Sequence, residues 1–501
     1  MPDTLQYWLD KAAAAAPDGR AFYAGAPTAA LNGATFTRTS PIDGRTLAPM
    51  ARCGPPDIDA AVKSAQHAFD TGVWRDRAPE DRKAVMLEWV RLVRAHANEL
   101  ALLETLEVGK PISDTLAVDA PGCANALQYY AELADKIYDE IAPTGACDQA
   151  LIKREPLGVV GAIVPWNYPL IIAAWKIGPA LALGNSMVLK PAEQSSFASL
   201  LLVRLAHEAG LPPGVLNIVP GFGAEAGEAL VSHNNVAAIA FTGSTATGRR
   251  IMAGAAASNL KRVALELGGK SAQIVLDDCA DLDAAASAIA WSIFYNAGQT
   301  CHAGSRVIAQ RGVAAPLAEK VAAVAASLKR GHPLDPTTQI GALVDARQKQ
   351  KVASYVALAR EEGGAIAYGG DDADVVAGGQ YFEPTILAKL PPHSRVLREE
   401  IFGPVVSIIE VDTPAQALAV AEDSEYGLAA SIWTSDMNRA HHMSRALRAG
   451  TVWVNTYDKS SMATPFGGFK QSGFGRDRSH HALDKYSDLK TIWTHLPRPA
   501  A

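Results

Sequence analysis

The sequence predicts an α/β protein built on a doubly wound parallel sheet, and two observations carry that reading. Short apolar runs of strand length recur at 158–164, 186–189, 215–219 and 237–241. Between and after them lie segments of helix length, at 171–183, 199–209, 224–232 and 245–257. Short apolar strands alternating with helices are parallel βαβ units, and several in a row build a doubly wound sheet. Ahead of this region the chain reads as helical: 57–69 is amphipathic, and one long helical pattern runs over 79–106. After a further short run at 263–265, a second alternating region extends from Ser271 to about Arg476. It ends in a glycine-rich stretch, Pro465-Phe466-Gly467-Gly468-Phe469-Lys470-Gln471-Ser472-Gly473. No internal repeat is present.

Composition narrows the function classes. The 501 residues are enough for two to four domains or subdomains. Charged residues at 20% and hydrophobic ones at 49% are the balance of a compact globular chain. A formal net charge of −6 without a long basic block argues against nucleic acid or an anionic membrane surface as the main partner. Residues 1–20 lack a basic patch followed by an apolar core, and no apolar run is long enough to span a bilayer. The five cysteines, Cys53, Cys123, Cys147, Cys279 and Cys301, are widely spaced and odd in number. They form neither a disulfide framework nor a zinc pattern, so a reducing cytoplasm is expected and no metal site.

Ligands on doubly wound sheets bind at the carboxyl ends of the strands, so the residues after each run are the candidates. After the fourth run comes Gly243-Ser244-Thr245-Ala246-Thr247-Gly248, opening a helix. Free amides and the dipole of a helix start attract phosphate, although Ser244 would equally cap an ordinary turn. The usual G-x-G-x-x-G does not follow the first strand, where Trp166-Asn167 stands instead, so a dinucleotide must bind in a variant way. Glu193, past the second strand, would accept from an adenosine ribose and repel a 2′-phosphate, while Lys190 three residues earlier would pair with one. Cys301 has small neighbours in Ala297-Gly298-Gln299-Thr300-Cys301-His302-Ala303-Gly304, which suits close approach of a substrate to a thiolate nucleophile. A lone cysteine also reads as a small buried apolar residue. His302 is read as structural, because sequence neighbours often point apart. Glu266 has apolar flanks; if desolvated, its raised pKa would suit a general base, and the alternative is a glutamate satisfied by backbone amides.

Taken as an ordered set, these motifs resemble the aldehyde dehydrogenase superfamily. The matching pieces are 165–170, 190–193, 241–248, 265–270, 298–306, 399–405 and 465–473. Within it the chain is most similar to the bacterial γ-glutamyl-γ-aminobutyraldehyde dehydrogenases, through 102–106, 277–282 and 489–493. The resemblance implies a variant Rossmann cofactor domain (1–138 and 157–265), an α/β catalytic domain (266–477) and a small β oligomerisation segment (139–156 and 478–501). It implies Cys301 as nucleophile, Glu266 as the base that activates the cysteine or the hydrolytic water, and Asn167 with the Cys301 backbone N–H as oxyanion donors. For the cofactor it implies NAD, with NADP as the alternative, held by Trp166, Lys190, Glu193, Gly223, Phe241, Gly243, Ser244, Gly248, Leu267, Glu400 and Phe402. Lys176 matches a further polar position.

The expected activity is oxidation of an aldehyde to its acid through a cysteine thiohemiacetal and thioester. An amine-derived aldehyde of polyamine or putrescine breakdown is the leading substrate, a betaine-type or general aldehyde the alternative, and a catalytically silent dinucleotide-binding relative the reading from another class. Tyr168, Trp175, Tyr295 and Phe466 match a substrate channel whose aromatic wall would hold a cation or an alkyl chain, and Asp119 and Asp458 are placed at its entrance. A homodimer or tetramer is expected, with a strand near 490–494 joining a partner's sheet.

Overall fold

The computed structural model describes residues 4–498. Residues 1–3 and 499–501, the outer ends of the expected segments 1–138 and 478–501, lie outside the described residues. The expected strands form at Val159–Ile163, Ser186–Lys190, Leu216–Ile218, Ala238–Thr242 and Arg262–Glu266, and all pairings among these five are parallel. In space they run third, second, first, fourth, fifth. The order reverses between Val159–Ile163 and Ala238–Thr242, and a crevice opens at the carboxyl ends of those two strands. The first four strands are buried along their whole length, which is why they read as unbroken apolar runs. The last strand of this sheet, Gly473–Phe474, comes from far along the chain and pairs antiparallel with Arg262–Glu266. The glycine-rich stretch is thereby brought against Glu266.

One helix expectation changes. The pattern over 79–106 is two helices, Pro79–Ala95 and Ala97–Val108, which meet at His96 with ψ 16°. The first buries one stripe, whereas Leu100 to Val108 is buried on every side. A helix apolar on one face and a helix enclosed all round need different environments, and the break at His96 provides them.

The second alternating region forms a seven-stranded sheet, in spatial order Ala365–Tyr368, Thr385–Ala388, Val405–Val411, Arg306–Gln310, Ala272–Val275, Ala429–Trp433 and Thr451–Val454. All its pairings are parallel except that of Ala365–Tyr368. A third, antiparallel sheet joins Ser487–His495 to Asp148–Pro156 and Glu140–Ala142. Its outer strand exposes Leu489, Ile492 and Trp493. No helix among the described residues is long and apolar enough to cross a membrane.

Candidate active site

Cys301 sits in the loop that leads into the strand Arg306–Gln310. The chain enters this loop through a left-handed turn, with φ 50° at Asn296, 51° at Ala297 and 73° at Gly298. Asparagine and glycine tolerate that region, but for alanine it is strained by about 1–3 kcal/mol. Side chains hold the turn from both flanks. Asn167 Nδ2 donates to the Gln299 carbonyl at 2.8 Å, and Asn296 Nδ2 donates to the Asn167 carbonyl at 3.2 Å. The Asn167 amide, expected as an oxyanion donor, is therefore buried beside the cysteine loop with its second N–H unspent. Cys301 itself is partly exposed, whereas Cys53 and Cys123 are buried.

Glu266 closes the strand Arg262–Glu266 and is buried. Among the described residues neither of its carboxylate oxygens has a hydrogen-bond partner, so the alternative of a glutamate satisfied by backbone amides does not hold. Gly467 lies against it: a Cβ there would come within 2.5 Å of Glu266 Oε1, at a backbone φ of 157°. Burial, reinforced by the nearby Asp477, pushes the carboxyl well above the usual range, while Lys176, Lys485 and Arg476 pull it down. Lys176 Nζ meets Asp477 Oδ2 at 2.6 Å, and Lys485 binds the other oxygen of Asp477; Lys176 and Asp477 are buried, and the Lys485 side chain is nearly so. Asp477 and Lys485 are absent from the sequence-predicted set. Their signal was two charged residues close behind the glycine-rich stretch, which turns back onto the first sheet.

The cofactor candidates line the crevice. Ser244 caps the helix Thr245–Ala257, its hydroxyl accepting from Thr247 N at 3.3 Å. Gly248 lets that helix approach Leu267, whose Cδ2 would lie 2.8 Å from any Cβ there. Gly243 and Phe241 lead into the cap, and Gly223 opens a separate turn after the third strand. Lys190 is buried and donates to Glu193 Oε2 at 3.2 Å. Burial lowers the Lys190 pKa, and Glu193 opposes that. Glu400 Oε1 accepts from Gly269 N at 3.1 Å, and the Phe402 ring meets Trp166 edge-on at 5.3 Å. Exposed helix amides, the Glu193 carboxylate past the second strand and a second carboxylate nearer the cysteine loop fit the phosphates and two riboses of a dinucleotide.

On the substrate side, the Tyr168 hydroxyl lies 2.8 Å from Thr300 Oγ1, and Trp175 packs against Phe466 at 5.6 Å. The Tyr295 hydroxyl is buried without a partner among the described residues. Three expectations change here. Asp119 is not at an entrance: it is fully buried and accepts from Lys110 Nζ at 2.7 Å, compensating a lysine that also binds Glu104. The cation seat on the aromatic wall is taken, because the Arg478 guanidinium stands 5.2 Å over Trp175 and 4.9 Å over Phe466. His302 does not point away from Cys301: its Nδ1 lies 3.8 Å from Cys301 Sγ, and its Nε2 lies 2.9 Å from Asp458 Oδ1. The tight Thr300-to-Ala303 turn brings the neighbours together. Asp458 is thus exposed at the mouth but already paired.

A parallel core with this strand order, an amide bound to the cysteine loop and a buried carboxyl at a strand end define a doubly wound α/β protein that binds ligands at its strand ends. The chain belongs to the aldehyde dehydrogenase family, whose model matches residues 29–492. It is 49% identical over 492 residues to the NADP/NAD-dependent aldehyde dehydrogenase PuuC of Escherichia coli, covering 98% of this chain and 99% of that one. Among solved structures it resembles the γ-glutamyl-γ-aminobutyraldehyde dehydrogenase of Burkholderia cenocepacia, with a TM-score of 0.97, 52% identity and coverage of 99% and 100% of the two chains. It resembles equally in shape a mutant of the P. syringae indole-3-acetaldehyde dehydrogenase in complex with NAD+ and IAA, with a TM-score of 0.97, 49% identity and coverage of 98% and 100%.

Proposed function

We propose that this chain oxidises an amine-derived aldehyde to its carboxylic acid, with NAD as the preferred cofactor. What supports the reading is the Asn167 amide bound to the Cys301 loop, together with an unpartnered Glu266 carboxyl at the carboxyl end of a strand of the same sheet that Asn167 follows. Cys301 Sγ attacks the aldehyde carbon, and Asn167 Nδ2 with the Cys301 N–H donates to the oxyanion that develops. A bound nicotinamide supplies the hydride acceptor. Glu266 then takes a proton from the water that attacks the thioester carbon, and Cys301 leaves as the thiolate.

The substrate class is favoured by the likeness to the B. cenocepacia enzyme and by Arg478. A free cationic amine would meet a guanidinium already lying on the aromatic wall. A γ-glutamylamino aldehyde carries a carboxylate that the guanidinium attracts and an alkyl chain for Trp175 and Phe466. Initial rates over amino-, γ-glutamylamino-, trimethylammonio-, indolyl- and simple alkyl aldehydes, each with NAD and NADP, test this. The γ-glutamylamino aldehyde should have the highest kcat/KM. An order led by acetaldehyde or by the indolyl aldehyde would reject the substrate class.

The NAD preference rests on Glu193, a carboxylate past the second strand that would repel a 2′-phosphate there, although it shares its charge with Lys190. Glu193→Gln is expected to narrow the ratio of kcat/KM for NAD over NADP by about tenfold, the equivalent of about 1.4 kcal/mol of like-charge repulsion. Equal efficiencies with both cofactors in the unmodified protein would contradict it.

The edge strand Ser487–His495 supports assembly into a homodimer or tetramer through the segments 139–156 and 478–501. It is exposed almost along its whole length, and Trp493 is 62% exposed. A long apolar edge of this kind is a liability unless another chain covers it. Light scattering at micromolar concentration should give a mass of two or four chains, and Trp493→Lys should lower it; a stable monomer would refute the assembly.

A further inference from the structure

We infer that His302 and Asp458 complete the nucleophile: His302 holds the Cys301 sulfur as a thiolate, and Asp458 positions the ring that does so. This rests on Cys301 being the nucleophile. The geometry comes from one imidazole with a partner on each nitrogen, Cys301 Sγ at 3.8 Å from Nδ1 and Asp458 Oδ1 at 2.9 Å from Nε2. The ring has little freedom to leave. It stands edge-on to Phe466 at 5.7 Å and against Trp453 at 6.1 Å, and the His302 carbonyl accepts from the Tyr457 hydroxyl at 2.5 Å. The Asp458 loop is fixed as well. Trp453 Nε1 donates to the Lys459 carbonyl at 2.8 Å, and Asp458 itself is held at φ 57°, a left-handed conformation that persists where the surroundings impose it.

The titratable and charged groups around the ring come from three segments. Asp458 and Tyr457 face it from the segment after Thr451–Val454, and Arg478 from the segment after Gly473–Phe474. Tyr168, ahead of the helix Pro169–Ala182, reaches in through Thr300. Burial works to deprotonate His302, but the Asp458 carboxylate overrides it and pushes the imidazole up to about 10. Asp458 stays below the usual carboxylate range because His302 and Arg478 outweigh its own burial. With both nitrogens protonated, Nε2–H donates to Asp458 and Nδ1–H faces the sulfur.

The proton inventory closes without a co-reactant. The cysteine S–H bond breaks and its proton passes to solvent, because Nδ1 already carries one; a thiol beside an imidazolium becomes a thiolate beside the same imidazolium. When the C–S bond of the thioester later breaks, the same Nδ1–H faces the sulfur that departs with the electron pair. An imidazolium neighbour is known to lower cysteine pKa values far below the ~8.5 of the free thiol. His302 touches a reacting atom, whereas Asp458 acts only through the ring and is a positioning residue.

The test is the pH dependence of Cys301 alkylation by iodoacetamide in the full chain, followed by mass spectrometry of the Cys301 peptide. No turnover is needed. His302→Gln should raise the midpoint by at least about one unit, a slowing of about tenfold at acidic pH. Asp458→Asn, a change at an exposed carboxylate that leaves folding undisturbed, should raise it in the same direction by less. An unchanged midpoint in His302→Gln would overturn the inference, while alkylation of Cys301 and turnover would still stand. An unchanged midpoint in Asp458→Asn would overturn the role of Asp458. If Cys301 reacts no faster than the partly exposed Cys147 and Cys279, and Cys301→Ala still turns over, the nucleophile assignment falls and takes this inference with it.

Discussion

Cys301→Ala is expected to lower aldehyde oxidation by more than about a thousandfold while leaving dinucleotide affinity within about twofold of the unmodified protein. The size of the loss follows from what the thiolate does. It converts hydride removal from a hydrated aldehyde into removal from a covalently held thiohemiacetal, and several neighbouring hydroxyl and amine groups are engaged elsewhere. Tyr168 and Thr300 are tied to each other at 2.8 Å, and Lys110 is spent on Glu104 and Asp119. The dinucleotide should be spared because its candidate contacts stand on other elements: Ser244 at a helix start, Lys190 and Glu193 after the second strand, Glu400 on Gly269. Losing the thiol also removes little packing, since Cys301 is partly exposed. The measurement is steady-state NADH formation together with a fluorescence titration of NAD. Residual activity above about one part in a thousand, with binding intact, would remove Cys301 from the chemistry.

The pattern of apolar runs was sufficient for the first sheet, because a parallel sheet covered on both faces must be apolar on both faces of each strand. The crevice followed from the strands, and with it the neighbourhood of Asn167, Ser244 and Glu266. Features set by distant segments were not legible. Gly473–Phe474 is two residues long and carries no periodicity, yet it brings Gly467 and Asp477 under Glu266. The break at His96 falls inside an uninterrupted helical pattern, because only the surroundings distinguish a half-buried helix from an enclosed one. Asp119 looked like any carboxylate on a helical segment; its burial is a property of Lys110, nine residues earlier and folded beneath it. The contact between Cys301 and His302 depends on a turn entered at positive φ by an alanine, which no local preference foretells. Arg478 likewise reached the aromatic wall through a left-handed residue, with φ 58°.

Glu266→Gln is expected to separate the two halves of the reaction. The first half, ending in the thioester, needs the thiolate and the oxyanion donors, and neither passes through Glu266. The second half needs a base for water, and an amide cannot take that proton. Rapid mixing should therefore show a burst of NADH close to one per active subunit, followed by turnover slower by about a hundredfold or more, within the usual worth of a general base. The pH dependence supplies an independent check, with a definite sign. The base is the carboxylate form, and burial together with Asp477 holds Glu266 protonated well above the ordinary carboxyl range. Steady-state turnover should accordingly rise with pH through that raised value, and the acid limb should disappear in Glu266→Gln. The cations beneath the site set where the limb lies. Lys176 pulls the carboxyl down, so Lys176→Met should move the limb to higher pH, provided Lys485 still holds Asp477 in place. That proviso is checked by the folding cooperativity of the variant, since removing one partner of a buried ion pair is destabilising by about 3–5 kcal/mol. A Glu266→Gln variant with unchanged turnover and an unchanged acid limb would show that water is activated elsewhere, and the buried carboxyl would then be a structural group held neutral by its own desolvation.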